Sequence, residues 1–395
     1  MATPSFPADP TSLAEELLRW AVSEGATDIH FVPRSDDCVV RARIDGLLRD
    51  IHTLDKVLYT KTVSRIKVLA DIDIAEKRRP QDGRLSFLFE ERPVDFRLSS
   101  IPTLHGESLA LRVLDRTAGL RALDQLGLST REIRTIRSFL SHSSGLIIVT
   151  GPTGAGKTTT MYAALQELAV PERNVLSIED PIEYEISGVV QTAVQAKIDV
   201  TFAGLLRSIL RHDPDVIMVG EVRDAETAEV AVRAALTGHL VLTSLHTQRA
   251  ADAVSALLNL GVRPYALAPA LKAVVAQQLV REICPKCRSS FEYGDSILSD
   301  PDCADLLPEG TKPSFSIGLG CEECFGSGYR GRRGIFEILD VSPEIQKMIL
   351  QSRGAGEIES EALKGGMVTL RKSGFRAVLE GHTTVEEVVR AVQIE

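Results

Sequence analysis

No uninterrupted run of about 18 apolar residues, the length a helix needs to cross a bilayer core, occurs in the 395-residue chain. The most apolar candidate, Tyr265 to Val280, is broken by Lys272, Gln277 and Gln278, so no membrane-spanning helix is expected. The opening MATPSFPADPTS has neither the basic segment nor the apolar stretch of a secretory leader. Its Pro and Ser content reads as a short flexible lead over residues 1–10, and a cytoplasmic location follows. Basic charge is not in excess: 45 Lys and Arg against 54 Asp and Glu give a net charge of −9. That excludes an overall attraction to phosphate backbones or anionic lipid. Aromatic residues are only 5% of the chain and form no stripe with basic ones, so a stacking surface for single strands is missing and no nucleic-acid partner is expected. Internal repeats and low-complexity tracts are also lacking. Cysteine is sparse at six residues, but four of them form two CxxC pairs. In a reducing compartment such pairs read as a metal site rather than a disulfide framework.

What is present organises the chain into several domains, as its length and 44% apolar content require. Ser12-Leu-Ala-Glu15 reads as a capping box opening a helix through Leu17, Leu18 and Val22, with Gly25 placed to stop it. Strand-like runs follow at Ile29–Val32, Cys38–Ile44, Leu85–Phe89 and Val94–Leu98, split by a helical stretch near Val63–Ala70. This predicts a small α+β domain over residues 11–116, then a linker over 117–129. Beyond it, a helix at Arg131–Leu140 gives way to β-branched apolar strands alternating with helices, the pattern of a parallel α/β core over 130–283. Residues 284–334 are rich in Gly, Asp and Ser around the paired cysteines, and 335–395 read as amphipathic helices around Ile345–Leu350, Met367–Glu380 and Val385–Val392.

A strand-like run, Leu146 to Thr150, leads directly into Gly151-Pro152-Thr153-Gly154-Ala155-Gly156-Lys157-Thr158-Thr159 and a helix-compatible stretch. This is a complete phosphate-loop pattern in the context it demands. The glycines let backbone N–H groups face a phosphate, and the following helix N-terminus adds partial positive charge. Lys157 is expected on the β- and γ-phosphates of ATP, and the Thr158 hydroxyl on Mg²⁺. A second strand, Val216–Val219, precedes Gly220-Glu221. Gly220 stands where a metal-binding aspartate is common, leaving Glu221 as the carboxylate able to polarise water or support the metal. A third group, Glu179-Asp180-Pro181-Ile182-Glu183, follows the apolar run Val175–Ile178 and suits metal or water positioning.

Cys284-x-x-Cys287 and Cys321-x-x-Cys324 can each offer two thiolates from one turn, together a tetrahedral S₄ shell for Zn²⁺. The 33 residues between the pairs exceed a usual zinc-ribbon gap, so the insert is expected to carry structure of its own, stapled by the metal. Cys303 reads as a free thiol and Cys38 as strand packing. From Cys284 to Arg333 six basic residues face eight acidic ones, a balance of −2, which argues against a phosphate-tracking surface.

Taken in order, GPTGAGKTTT, EDPIEYE, LRSILRHDPDVIMVGEVRDAETA, TGHLVLTSLHT, CPKC, CEEC and GYRGRRGIFEIL resemble the type II and type IV secretion ATPase family, which also serves pilus assembly. The resemblance runs over nearly the whole chain. It implies a RecA-like P-loop ATPase domain preceded by a small PAS-like α+β domain, with a zinc-stapled insert and a helical C-terminal part. It further implies a homo-oligomeric, hexameric ring in the cytoplasm, bound peripherally to the inner membrane through a platform protein. By the same resemblance Glu221 is the catalytic glutamate, Glu179 and Glu183 are acidic-box residues, and His246 is the histidine-box residue near the phosphates, while His239 stays structural. Arg84 in QDGR and Arg97 in DFRLSS match arginines that approach the γ-phosphate. The family's long form has a further N-terminal docking domain, whereas this chain opens on the smaller one and reads as a short form. Retraction motors of the family generally lack the cysteine insert, so its presence favours secretion or pilus extension. Two other functions fit a P-loop: a RecA-like nucleic-acid translocase, opposed by the acidic charge, and a nucleotide-gated scaffold that scarcely turns over, opposed by Glu221.

Overall fold

A computed structural model describes residues 6–115, 120–291, 306 and 315–392, so Cys303 lies outside the described residues. The chain divides into two compact units, residues 1–119 and 120–395.

The first unit opens with α1 (Pro10–Ser23). Its N-cap is Asp9, three residues ahead of the expected Ser12: the Asp9 carboxylate accepts the Ser12 N–H at 2.9 Å, and Pro10 supplies a preset first helical position. Strands β1 (Asp28–Pro33), β2 (Asp37–Ile44) and β3 (Leu47–Asp55) follow, then α2 (Lys56–Leu69), β4 (Gln81–Phe89), β5 (Arg92–Thr103) and β6 (Gly106–Leu114). They form a six-stranded antiparallel sheet in the order β3-β2-β1-β6-β5-β4. β3 and β6 are absent from the sequence-based expectation, and β3 alternates polar with apolar residues too unevenly to stand out. Cys38 is buried on β2, as expected.

In the second unit, a short 3-10 turn (Leu123–Gln125) lies in the stretch expected as a linker. Leu123, Leu126 and Leu128 are buried there in the unit's core. Ser129 then caps α3 (Thr130–Leu140) through a capping box with Glu132. β7 (Gly145–Thr150), α4 (Lys157–Leu168), β8 (Val175–Glu179), β9 (Val189–Ala193), α5 (Phe202–Ile209), β10 (Val216–Val219), α6 (Ala225–Leu236), β11 (Leu240–Leu245), α7 (Ala250–Asn259) and α8 (Pro264–Ala270) precede β12 (Leu271–Ile283). A small hairpin of β13 (Arg288–Phe291) and β14 (Phe315–Gly318) leads to β15 (Tyr329–Asp340). Four helices close the chain: α9 (Pro343–Leu350), α10 (Ala355–Lys364), α11 (Leu370–Leu379) and α12 (Val385–Ala391).

The central sheet has seven strands in the order β15-β12-β7-β11-β10-β8-β9, all parallel except β15. Every residue of β7, β8, β10 and β11 is buried. Alternate residues feed two separate cores: Leu146 and Ile148 with Ile217 and Val241 on one face, Ile147 and Val149 with Met218 and Leu242 on the other. A parallel sheet covered on both faces is the α/β layer architecture that near-continuous apolar strands predict. The carboxyl ends of β7, β8, β10 and β11 open at one edge, where α/β sheets bind ligands. No helix among the described residues is long and apolar enough to cross a membrane.

Candidate nucleotide site and metal centre

The phosphate loop joins β7 to α4, and its shape depends on glycine. Gly151, Gly154 and Gly156 have φ of 150°, 82° and 88°. A Cβ on Gly151 would lie 2.4 Å from the Gln277 carbonyl, and one on Gly156 would lie 2.8 Å from Gln277 Nε2. Pro152, Thr153 and Gly154 form the outer part of the loop, Ala155 is buried beneath it, and Thr158 and Thr159 are half-buried in the first turn of α4. Lys157 folds back so that Nζ donates to the carbonyls of Gly151 (2.7 Å) and Pro152 (3.1 Å). Burial lowers its pKa, and the nearby Glu221 opposes that shift.

Glu221 follows Gly220 at the end of β10. Its Oε1 lies 2.6 Å from an Arg223 guanidinium nitrogen and its Oε2 3.2 Å from His246 Nε2, while His246 Nδ1 is 3.5 Å from Lys157 Nζ. Glu221, His246 and Lys157 therefore form one continuous set of contacts, although 89 residues separate the last two. The histidine loop is held there by Thr150, whose hydroxyl donates to the Thr247 carbonyl (2.9 Å) and accepts the Thr247 N–H (2.9 Å). Gln277, buried on β12, lies under the loop and accepts the Thr160 hydroxyl at 2.6 Å. His239 has its Nδ1 2.9 Å from the Ala234 carbonyl at the end of α6, a structural position.

The acidic box divides into two environments. Glu179 is 3% exposed, and its carboxylate takes donors from Tyr162, Ser177 (2.7 Å) and Gln191 (2.9 Å). Glu183 is exposed on the loop after β8, with its N–H donated to the Tyr162 hydroxyl at 3.2 Å. Arg84 and Arg97 belong to the first unit, where β4 and β5 pair them as direct cross-strand partners. Like charges so opposed oppose sheet pairing. Arg223, Thr150, Thr247, Tyr162, Gln191 and Gln277 went unnoticed in the sequence. Gln277 leaves a signal there as a polar residue inside the apolar run Val274–Val280, and Arg223 and Thr247 fall inside the quoted motifs GEVRD and TSLHT without a role of their own.

The four paired cysteines meet where β12 ends and β15 begins. Their sulfurs all lie within 4.8 Å of one another. Cys284–Cys321 and Cys287–Cys324 are separated by 3.8 Å and Cys321–Cys324 by 3.7 Å. A tetrahedron with metal–sulfur bonds of about 2.3 Å has edges of about 3.8 Å, whereas a disulfide would bring two sulfurs to about 2.05 Å. Backbone N–H groups of Cys321 and Gly328 donate to Cys324 Sγ at 3.1 and 3.3 Å, and that of Gly320 to Cys287 Sγ at 3.3 Å. Such donors stabilise thiolates and orient them as ligands. The donor set fits a tetrahedral thiolate metal centre.

A family model described as "Type II/IV secretion system protein" matches residues 10–390. The type II secretion system ATPase E of Vibrio cholerae is 43% identical over 383 residues, covering 96% of this chain and 75% of that protein. The type IV pilus assembly ATPase PilB of Thermus thermophilus is 41% identical over 375 residues, 95% of this chain but 42% of that protein. Among solved structures, the pilus retraction motor PilT with bound ADP superposes with a TM-score of 0.64 at 25% identity, covering 95% of each chain. A matching model over nearly its full length and relatives above two-fifths identity show that this chain belongs to the type II/IV secretion system protein family.

Proposed function

We propose that the chain is an ATP-hydrolysing motor that powers assembly of a type II secretion pseudopilus or a type IV pilus, working as a cytoplasmic hexameric ring against an inner-membrane platform protein. The observation that carries this reading is the contact from Lys157 of the phosphate loop through His246 to Glu221. N–H groups of residues 151–156 and the N-terminus of α4 offer a cradle for the β-phosphate. Lys157 exchanges the Gly151 and Pro152 carbonyls for phosphate oxygens, a substitution its burial favours once anions arrive. Thr158 is the residue to hold Mg²⁺, which when bound neutralises charge on the β- and γ-oxygens. Glu221 orients and polarises the attacking water, and His246 and Arg223 fix its carboxylate against rotation. Arg84 and Arg97 are the first unit's contribution to γ-phosphate charge. Cys284, Cys287, Cys321 and Cys324 hold Zn²⁺ as a structural staple at the base of the β12–β15 pair.

Turnover measured across a protein concentration series tests the reading, with a per-subunit rate that rises as subunits associate. Glu221→Gln is expected to keep nucleotide binding and to lose turnover by roughly a hundredfold or more, whereas Lys157→Ala loses both. Wild-type turnover in Glu221→Gln would sink the assignment.

A further inference from the structure

The Tyr162 hydroxyl belongs to α4, the helix that starts at the phosphate loop, yet its hydrogen bonds run to the acidic box. It donates to the buried Glu179 carboxylate and accepts the Glu183 N–H at 3.2 Å. The same carboxylate takes Ser177 Oγ and Gln191 Nε2, from residues that are register partners on β8 and β9. Gln191 continues outward: its Nε2 also donates to the Tyr184 carbonyl at 3.0 Å, and its Oε1 accepts the Ile186 N–H at 2.8 Å. Tyr162 and Tyr184 further meet edge to face with ring centroids 6.0 Å apart. The loop after β8 is thus fixed at three backbone points, Glu183 N–H, Tyr184 carbonyl and Ile186 N–H, by two side chains that share one buried carboxylate.

A carboxylate 3% exposed and already holding three donors is committed as a hub, with its charge balanced by O–H and N–H dipoles. Glu183 is exposed on the loop, as are Asp180 and Glu185, and of these three it is the one whose own N–H the Tyr162 hydroxyl holds. We propose that Tyr162 and Gln191 are positioning residues for ATP hydrolysis: through Glu179 they tie the acidic loop to the phosphate-loop helix and so set where Glu183 stands when nucleotide occupies the site. This rests on the ATPase reading above. Tyr162 is buried to 1% exposure and touches no phosphate-loop atom through its hydroxyl, so its contribution belongs to turnover rather than to nucleotide capture.

The test compares wild type with Tyr162→Phe, which keeps the ring and removes only the hydroxyl, and with Gln191→Met, which cuts the other two loop contacts without touching α4. Steady-state ATPase kinetics, ADP affinity and amide hydrogen exchange over residues 180–188 are read on each. Both variants are expected to lower kcat about tenfold, to leave KM and ADP affinity within about twofold, and to speed exchange at the amides of 183 and 186. Unchanged kcat in both variants, or a loss that falls on KM and ADP affinity alone, overturns the positioning role. Failure of the ATPase reading looks different: wild type itself would show no turnover. Slow exchange of the 180–188 amides in Tyr162→Phe would still overturn the proposed tie on its own.

Discussion

At Gly220 one hydrogen atom decides what kind of metal site the second strand can build. P-loop ATPases commonly carry an aspartate at this point. Here the Gly220 N–H donates to the Ile178 carbonyl at 2.8 Å, and Ser244 Oγ donates to the Gly220 carbonyl at 2.7 Å, so the ends of β8, β10 and β11 are drawn together. A Cβ on Gly220 would lie 3.2 Å from the Ile178 carbonyl oxygen and 3.6 Å from Glu179 Cα. The second distance is ordinary contact, but the first is tight, and its partner is backbone that can yield only by moving the strand. Gly220→Asp is therefore expected to destabilise the fold by about 1–3 kcal/mol through overpacking and to lower turnover, rather than to restore a second metal carboxylate. Urea midpoints beside ATPase rates check this; a stable variant with raised turnover would show that the strands have room to part. The missing aspartate is visible in the sequence, but its cause is not, because the backbone that crowds the position, the Ile178 carbonyl, lies 42 residues earlier.

Elements are joined across this fold by two buried carboxylates whose environments push them in opposite directions. Glu337 on β15 is 2% exposed; its Oε1 accepts the N–H of Ala250, first residue of α7, at 2.8 Å, and its Oε2 that of Leu370, first residue of α11, at 3.2 Å. One side chain thus serves two helix N-termini, where negative charge is favoured, yet burial outweighs those contacts and raises its pKa. Glu337 thereby anchors the start of α7, four residues after His246. Glu387 on α12 lies between Arg281 and Arg390; burial opposes its charge, but hydrogen bonds from Arg281 and Arg390 dominate and hold its pKa down at about 2. A carboxylate depressed in the folded state stabilises above its ordinary pKa and loses that contribution as pH falls. Glu387 therefore supports the fold fully above about pH 4.5 and ceases to do so as pH approaches 2. Glu387→Gln is expected to cost about 3 kcal/mol at neutral pH by leaving Arg281 buried without its partner. Its urea midpoint should vary less than that of wild type between pH 4.5 and 2; parallel profiles would remove Glu387 from the acid response. Neither carboxylate could be singled out from sequence. The phosphate loop and CxxC pairs are local patterns, whereas Glu337 meets Ala250 across 87 positions and Glu387 meets Arg281 across 106. Helix positions were legible where apolar spacing was regular, as in α3, but the start of α1 was misplaced because Ser12 and Glu15 imitate a cap that Asp9 and Pro10 form.

Over the whole molecule, the two units differ in what they hold. The phosphate loop, Glu221, His246 and the four clustered cysteines all belong to the second unit, whose β12 runs from Gln277 under the loop to Ile283 beside Cys284. From Gln277 to Ile283 the strand advances six residues, about 20 Å at 3.3 Å per residue, paired with β15 apart from an irregularity between Arg281 and Ile283. A metal that locks the base of this pair stabilises the strand that supports the loop. Four sulfurs lie within 4.8 Å of one another, and a metal bound there would tie both turns together, so its removal is expected to free the turns at 284–287 and 321–324. Chelation is thus expected to lower the melting temperature of the second unit by several degrees, to weaken nucleotide binding, and to leave the first unit's transition unchanged; added Zn²⁺ restores both. Differential scanning calorimetry with and without chelator, with ADP titrated into each sample, separates the cases. Loss of the metal with unaltered melting and ADP affinity would reduce the cysteine cluster to a local staple, uncoupled from the strand that carries Gln277.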